Sequence, residues 1–201
     1  MTDRPILFSA PMVRALLGGR KTQTRRVLEA YTPGMHLDRV GPTGWQFTGQ
    51  GGLPRIPMRL KYAAGDRLWV REAFKPVHSA DPALGARYRA DVDRDQTIWK
   101  PGIHMPRWAS RLTLPVTDVR VQRLQEINDD DAIAEGVDQN GATAGHDIDI
   151  DGGWWPGGPK RQYQRLWNHL NEARGFGWEM NPWVVAVTFT VERRNIDETA
   201  R

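Results

Sequence analysis

Thirteen residues, Leu112–Leu124, carry the longest alternating pattern in the chain, and it constrains the fold more than any other stretch. Leu112, Leu114, Val116, Val119 and Val121 give the two-residue period of a strand with one buried face. Pro115 stands inside it. Proline has no N–H to give to a ladder, so the pattern predicts an edge strand or a bulge there. Shorter extended segments are scattered around it: Ile6–Phe8, Thr22–Leu28, Trp45–Thr48, Arg67–Glu72, Ala86–Ala90 and Trp183–Val191. Helical periodicity is sparser. Val13, Leu16 and Leu17 mark a short helix after Ser9 and Pro11, ended by Gly18-Gly19. Asn128 followed by three aspartates caps another, which Gly136 ends. Tyr163, Leu166, Trp167 and Leu170 form the apolar stripe of a third, over Arg161–Ala173. Strands outnumber helices and do not alternate with them. The pattern predicts an α+β fold around a small mixed or antiparallel barrel, with flanking helices and loop insertions, and not a doubly wound α/β sheet.

A chain of 201 residues is expected to form one domain, with Gly- and Pro-rich insertions at about 31–60, 75–105 and 137–160. It has no cysteine, which excludes disulfides, thiolate catalysis and Cys-based metal sites. The polar N-terminus shows no signal peptide, and no apolar run approaches a membrane span, so a cytoplasmic location and no membrane partner are expected. Net charge is +4, which permits an anionic partner without demanding one, so local clustering is the better guide.

The densest cluster is Gly19-Arg20-Lys21-Thr22-Gln23-Thr24-Arg25-Arg26. An amine at Lys21 and a hydroxyl at Thr24 are spaced to face one pocket. A carboxylate to complete the group is available at Glu72, in Leu68-Trp69-Val70-Arg71-Glu72. Threonine attacks only when a base removes its proton, and lysine is that base only when burial or neighbouring cations lower its pKa. Two readings stand together: acyl-transfer chemistry or anion binding. A solvated turn beside a surface glutamate is the plain alternative. A second cluster, Arg107-Trp108-Ala109-Ser110-Arg111, pairs phosphate-binding forks with a stacking face, or is merely a loop entering the long strand with Trp108 in the core. Asp147-Ile148-Asp149-Ile150-Asp151-Gly152 matches the first half of a calcium loop, but Gly158 stands where the bidentate glutamate belongs, so an acidic loop is expected. The five histidines show no metal-ligand spacing, and neither a metal nor a cofactor is expected.

Taken in order, the segments 19–26 and Gly65-Asp66-Arg67-Leu68-Trp69-Val70-Arg71-Glu72, then Val116-Thr117-Asp118-Val119-Arg120 and Asp131-Ala132-Ile133-Ala134-Glu135-Gly136, resemble the ASCH-domain family of the PUA-like superfamily. The element 105–111 resembles its longer, phage-associated members. The resemblance implies a PUA-like barrel, a cleft beside the Lys-Thr turn, and a modified nucleoside or RNA as partner. One branch is similar to N(4)-acetylcytidine amidohydrolases, and it implies Lys21, Thr24 and Glu72 as the catalytic group. From the residues themselves, contacts to the substrate are expected from Arg25, Arg26, Trp69, Arg71, Arg107, Trp108 and Arg111, with backbone N–H groups of the Gly18–Thr22 turn at the oxyanion. The rival functions are an RNA- or nucleotide-binding module without catalysis, and a metal-independent ribonuclease.

Overall fold

In the computed structural model, the described residues are 2–28, 35–40, 44–48, 56–78, 85–92, 98–137 and 157–198. The main sheet has five strands: β1 (Asp3–Leu7), β2 (Gln23–Val27), β6 (Arg67–Arg71), β9 (Thr113–Arg123) and β10 (Trp183–Phe189). Their order is β1-β6-β9-β10-β2. β1 runs parallel to β6, and every other pairing is antiparallel, so the sheet is mixed. The strands β3 (His36–Val40), β4 (Gly44–Thr48) and β5 (Ile56–Met58) form a small antiparallel sheet. β7 (Phe74–Pro76) and β8 (Ala86–Tyr88) form a two-stranded ribbon. Three helices flank these sheets: α1 (Ala10–Leu17), α2 (Asp129–Ala134) and α3 (Gly158–Asn171). The α+β class read from the strand-rich pattern is the class that forms.

Pro115 shows how the long strand solves its missing donor. β9 pairs with β6 through Thr113, Leu114 and Pro115, then with β10 from Val116 onward. The proline therefore sits where one ladder hands over to the other. The β10 register slips two residues further on, between Thr188 and Phe189, where Thr117 is the extra residue of β9. The bulge expectation holds to within two residues, while the edge expectation does not, because β9 is the central strand.

β10 is buried on both faces, which suits its near-continuous apolar run. Val185, Val187 and Phe189 pack with Ile6, Val13, Leu16, Leu68, Leu114 and Phe47 in the principal core. Val184 points the other way, into a second core built from Leu124, Ile127, Ala132, Tyr163, Leu166, Trp167 and Trp178. That second core fixes α2 and α3 beside β10 and β2. The expected stripe of α3 is buried at Tyr163, Leu166 and Trp167, but Leu170 is exposed. The helix also starts three residues earlier than its stripe indicates, because Pro159 occupies a first-turn position where no N–H is missed.

The edge strands β1 and β2 approach each other without forming a ladder. Arg26 Nη2 donates to the carbonyl of Leu7 at 2.7 Å across this gap. Two clefts open beside it. Within the insertions, the Trp45–Thr48 strand is present as part of β4, and the strand expected over Ala86–Ala90 ends at Tyr88 in a 3-10 turn. The Asp147–Asp151 segment lies outside the described residues.

Candidate functional site: a buried Lys-Glu pair behind a cation-lined cleft

The Gly19–Arg26 segment is not a solvated turn. Gly19 adopts a left-handed φ of 69° and turns the chain out of α1. Lys21 then bridges to Glu135, and Thr22 N donates to the Ala134 carbonyl at 2.8 Å. The segment just after α2 thus docks against the entry to β2. Gly136 permits this approach. Its φ is 97°, and a Cβ there would lie 3.2 Å from the Cβ atoms of both Ala15 and Lys21.

Docking removes Lys21 from water completely; its exposure is 0%. Its Nζ donates to the Glu135 backbone carbonyl at 2.7 Å and to Glu135 Oε2 at 2.8 Å. The other carboxylate oxygen, Oε1, accepts from Arg25 Nη1 at 3.2 Å. Arg25 also donates from Nη2 to Asp131 Oδ2 at 2.7 Å, and Asp131 Oδ1 accepts from Arg120 at 2.9 Å. Buried charges persist only when paired in this way. Burial pushes the Lys21 amine below its ordinary value of 10.5; Glu135 opposes that shift, and Arg26 and Arg25 reinforce it. Burial acts on Asp131 in the opposite sense, but hydrogen bonding from Arg120 and the charges of Arg25 and Arg120 hold its carboxyl below the usual range. The Tyr163 hydroxyl is driven well up by burial and by the Glu135 charge.

Thr24 and Glu135 line a cavity of about 270 Å³ between β2 and α3, together with Arg26, Tyr163, Trp167 and Arg174. Thr24 is held in the β2–β10 ladder opposite Val187. Lys21 stands behind the cavity wall and reaches it through Glu135. A neighbouring cleft of about 400 Å³ shares Arg26, Val27 and Arg174 with this cavity.

The expected pairing of Lys21 with Glu72 is corrected: the carboxylate on Lys21 is Glu135. Glu72 follows the end of β6 and is buried elsewhere. Arg111 donates to both its oxygens, from Nε at 2.9 Å and Nη2 at 3.1 Å. Burial raises the Glu72 carboxyl above its ordinary value against the pull of Arg111. Arg111 is further engaged by Asp91 and lies 3.9 Å from the centroid of the Tyr88 ring. Gly102 packs against the Glu72 backbone, where a Cβ would come within 3.0 Å of the Glu72 carbonyl carbon. Glu72 lines neither cleft.

The remaining expected contacts divide. Arg25 and Arg26 line the Thr24 cavity, and Arg71 lines the neighbouring cleft, where its Nη2 donates to the Ile103 carbonyl. Trp69, Arg107, Trp108 and Arg111 line neither. Arg107 is clamped by Asp3 and Asp197, which raise its pKa, and so ties the two ends of the chain together. Trp108 is half-exposed rather than in the core. The turn amides are not available to an oxyanion. Gly18, Gly19, Arg20, Lys21 and Thr22 each donate their N–H to a backbone carbonyl. Arg26 and Arg174 are cationic donors that line the cavity.

Glu135, Tyr163, Trp167 and Arg174 were not anticipated as site residues. The sequence did carry a signal for Glu135. It is the last residue before Gly136, and a glycine that needs positive φ just beyond a short helix marks a close backbone approach.

Among the described residues, no group of three His, Asp or Glu side chains is placed to hold a metal. Among the described residues, no helix is long and apolar enough to cross a membrane.

Fold and site together define a class: an α+β chain whose mixed sheet carries, at one edge, a hydroxyl, a buried amine–carboxylate pair and a cation-lined cleft. No family model matches the chain, and no curated protein matches it. Among solved structures it is similar to an ASCH domain from Lactobacillus crispatus, at 13% identity and a TM-score of 0.44, covering 94% of this chain and 79% of that one. It is also similar to a protein of the DUF984 family from Enterococcus faecalis, at 13% identity and a TM-score of 0.42, covering 100% of this chain and 86% of that one.

Proposed function

We propose that the chain is an amidohydrolase that removes an acyl group from a modified nucleobase or nucleoside of the N(4)-acetylcytidine kind. The observation that carries this reading is the shared cavity. Thr24 and Glu135 line it together, and Glu135 binds a fully buried lysine whose pKa is depressed.

Thr24 is the nucleophile. The Lys21–Glu135 pair is the base, with Glu135 as the member facing the cavity. The pair takes the Thr24 hydroxyl proton as the oxygen bonds to the amide carbonyl carbon. Arg26 faces the charge that develops on the carbonyl oxygen. The C–N bond then breaks, the leaving amine takes the proton back from the pair, and an acyl-threonine remains. Water, deprotonated by the same pair, adds to the ester and frees the acid and Thr24. The apolar rings of Tyr163 and Trp167 provide the wall against which a planar base rests.

The direct experiment is incubation of the protein with a panel of acylated nucleosides, read by mass spectrometry. Loss of the acyl mass from acetylcytidine with the wild type, and its retention with Thr24→Ala, is the expected pair of results. Deacylation by a folded Thr24→Ala protein refutes the nucleophile.

A second reading uses the same cleft for binding without chemistry. Its support is the excess of cations over carboxylates in the walls. Under that reading binding falls steeply with salt and survives Thr24→Ala, which removes no charge.

A further inference from the structure

The cleft of about 400 Å³ lies where the main sheet does not close, between the edges of β1 and β2. Phe8 N donates to the Arg71 carbonyl and Arg67 N to that of Thr2, each at 3.0 Å. Bonds to one neighbour come from alternate residues of a parallel strand, so Arg4 and Ile6 face β6. Pro5 and Leu7 turn their backbone groups the other way, and both line the cleft. The same alternation holds on β2. Leu28 N donates to the Trp183 carbonyl at 3.2 Å, and Phe189 N to that of Thr22 at 2.9 Å. Val27 therefore faces away from β10, and it lines the cleft from the opposite side. The Arg26 side chain crosses the gap to the Leu7 carbonyl. The Leu7 N–H, the Pro5 carbonyl and both backbone groups of Val27 remain as strand-edge groups outside any ladder. Unpaired edges of this kind are templates for another backbone.

The walls add charge. Arg26, Arg59, Lys61, Arg71 and Arg174 line the cleft, with no aspartate or glutamate among the described residues. Elsewhere in the molecule, Arg25, Arg67, Arg107, Arg111 and Arg120 are all ion-paired to carboxylates. Among the described residues, Arg26, Arg59, Arg71 and Arg174 make no such pair. The Nε of Arg71 is also buried without a hydrogen-bond partner. Collecting like charges around a concavity costs self-repulsion unless an anion neutralises them. Beneath the cations the floor is apolar, at Leu28, Leu60 and Val185, and two exposed apolar side chains, Leu7 and Ile103, stand at the rim.

We propose that this cleft takes an extended acidic peptide from a partner protein, added as a strand at the open edge of the main sheet. The cations by themselves suit any polyanion. The unpaired N–H and C=O groups favour one whose own backbone completes a ladder, which is how an added strand gains affinity. Successive side chains of an extended peptide face opposite ways, so apolar residues can meet the floor while the acidic ones between them meet the cations. The inference does not depend on the chemistry at Thr24.

The test is fluorescence anisotropy with a dye-labelled hexapeptide of alternating glutamate and valine. The wild type is expected to bind it and to leave the lysine–valine counterpart unbound. The peptide is then N-methylated at alternate amides, in each of the two phases, which removes backbone donors and keeps every charge. At least one phase should bind about tenfold more weakly, for two or three lost hydrogen bonds. Arg59 and Lys61 are exposed, so the double variant Arg59→Gln, Lys61→Gln should fold. It should weaken binding by about fivefold or more, for two lost ion pairs at the surface. Arg87→Gln, an equally exposed arginine outside the cleft, should leave binding unchanged. The proposal is overturned if the acidic peptide does not bind, or if both methylated phases bind like the parent. A double variant that behaves like Arg87→Gln also overturns it. Displacement of the peptide by a single-stranded RNA hexamer at equal charge concentration assigns the cleft to nucleic acid and overturns it as well.

Discussion

Two glutamates, Glu135 and Glu72, are buried among the described residues, and both are held by cations. Glu135 takes Lys21 and Arg25. Glu72 takes Arg111, which is also bound to Asp91. Their burial is similar, at 4% and 1% exposure. What differs is what lies on the remaining side of each. Glu135 borders a cavity that also contains Thr24, and its partner lysine is fully buried with a depressed pKa. Glu72 borders neither cleft, and its partner is an arginine, a cation that keeps its proton at any working pH. A carboxylate paired with arginine and closed off from solvent is a strut. A carboxylate paired with a titratable amine and open to a cavity can move a proton. Position next to a motif does not separate the two cases; the partner and the opening do.

The contrast breaks most readily at Thr24. Thr24→Ala removes the only hydroxyl the mechanism uses, so kcat should fall by at least about a thousandfold, by analogy with loss of a nucleophile in other acyl-transfer enzymes. Circular dichroism should show an unchanged fold, since the β2 ladder does not depend on the side chain. Arg25→Met tests the electrostatic side. It leaves Glu135 and Asp131 each short of a buried cation, and breaking a buried pair from one side costs about 3–5 kcal/mol, measured as a drop in unfolding free energy in urea. Gly136→Ala is smaller. The positive φ and the contacts with Ala15 and Lys21 should cost about 1–2 kcal/mol in stability, with a further loss of activity as the Glu135 carboxylate shifts.

The pH dependences sharpen the same contrast. The base must be the unprotonated Lys21–Glu135 pair, so kcat/KM should rise with pH along a limb whose inflection lies below 10.5, because burial lowers the Lys21 pKa. An inflection at or above 10.5 contradicts that assignment. Glu72 has the opposite sign. Its folded pKa is raised above the ordinary 4.5, so the folded state holds the proton more tightly than the unfolded chain. Its favourable contribution is complete below 4.5 and is lost as pH rises through the raised value. Glu72→Gln cannot titrate and should flatten the fall of stability in that window, while the activity limb stays where it is.

Much of the architecture was legible in the sequence. The alternation of Leu112–Leu124 finds the long strand, but Pro115 points to an edge or a bulge and does not reveal that the strand is central, because its neighbours on both sides come from distant parts of the chain. The stripe Tyr163, Leu166, Trp167 finds the helix that walls the cavity. Lys21 and Thr24 stood out because amine, hydroxyl and arginines were crowded into eight residues. The partner of Lys21 was harder. Glu72 and Glu135 both end recognisable segments, and choosing between them needs the docking of residues 134–136 on 21–22, a contact across more than a hundred positions that no local periodicity encodes. The same holds for the clamp of Arg107 by both chain ends and for the backbone carbonyls that claim the turn amides. These are tertiary pairings, and they decide which charges are left over for a ligand.

The most direct measurement compares Glu135→Gln with Glu72→Gln. Both are isosteric, both neutralise one buried carboxylate, and both should be assayed for acetylcytidine hydrolysis at a pH where each is shown to be folded. Glu135→Gln should lose hydrolysis by about a hundredfold or more, the usual scale for removing a general base, and Glu72→Gln should retain most of it. Loss of activity in Glu72→Gln alongside full activity in Glu135→Gln contradicts the account.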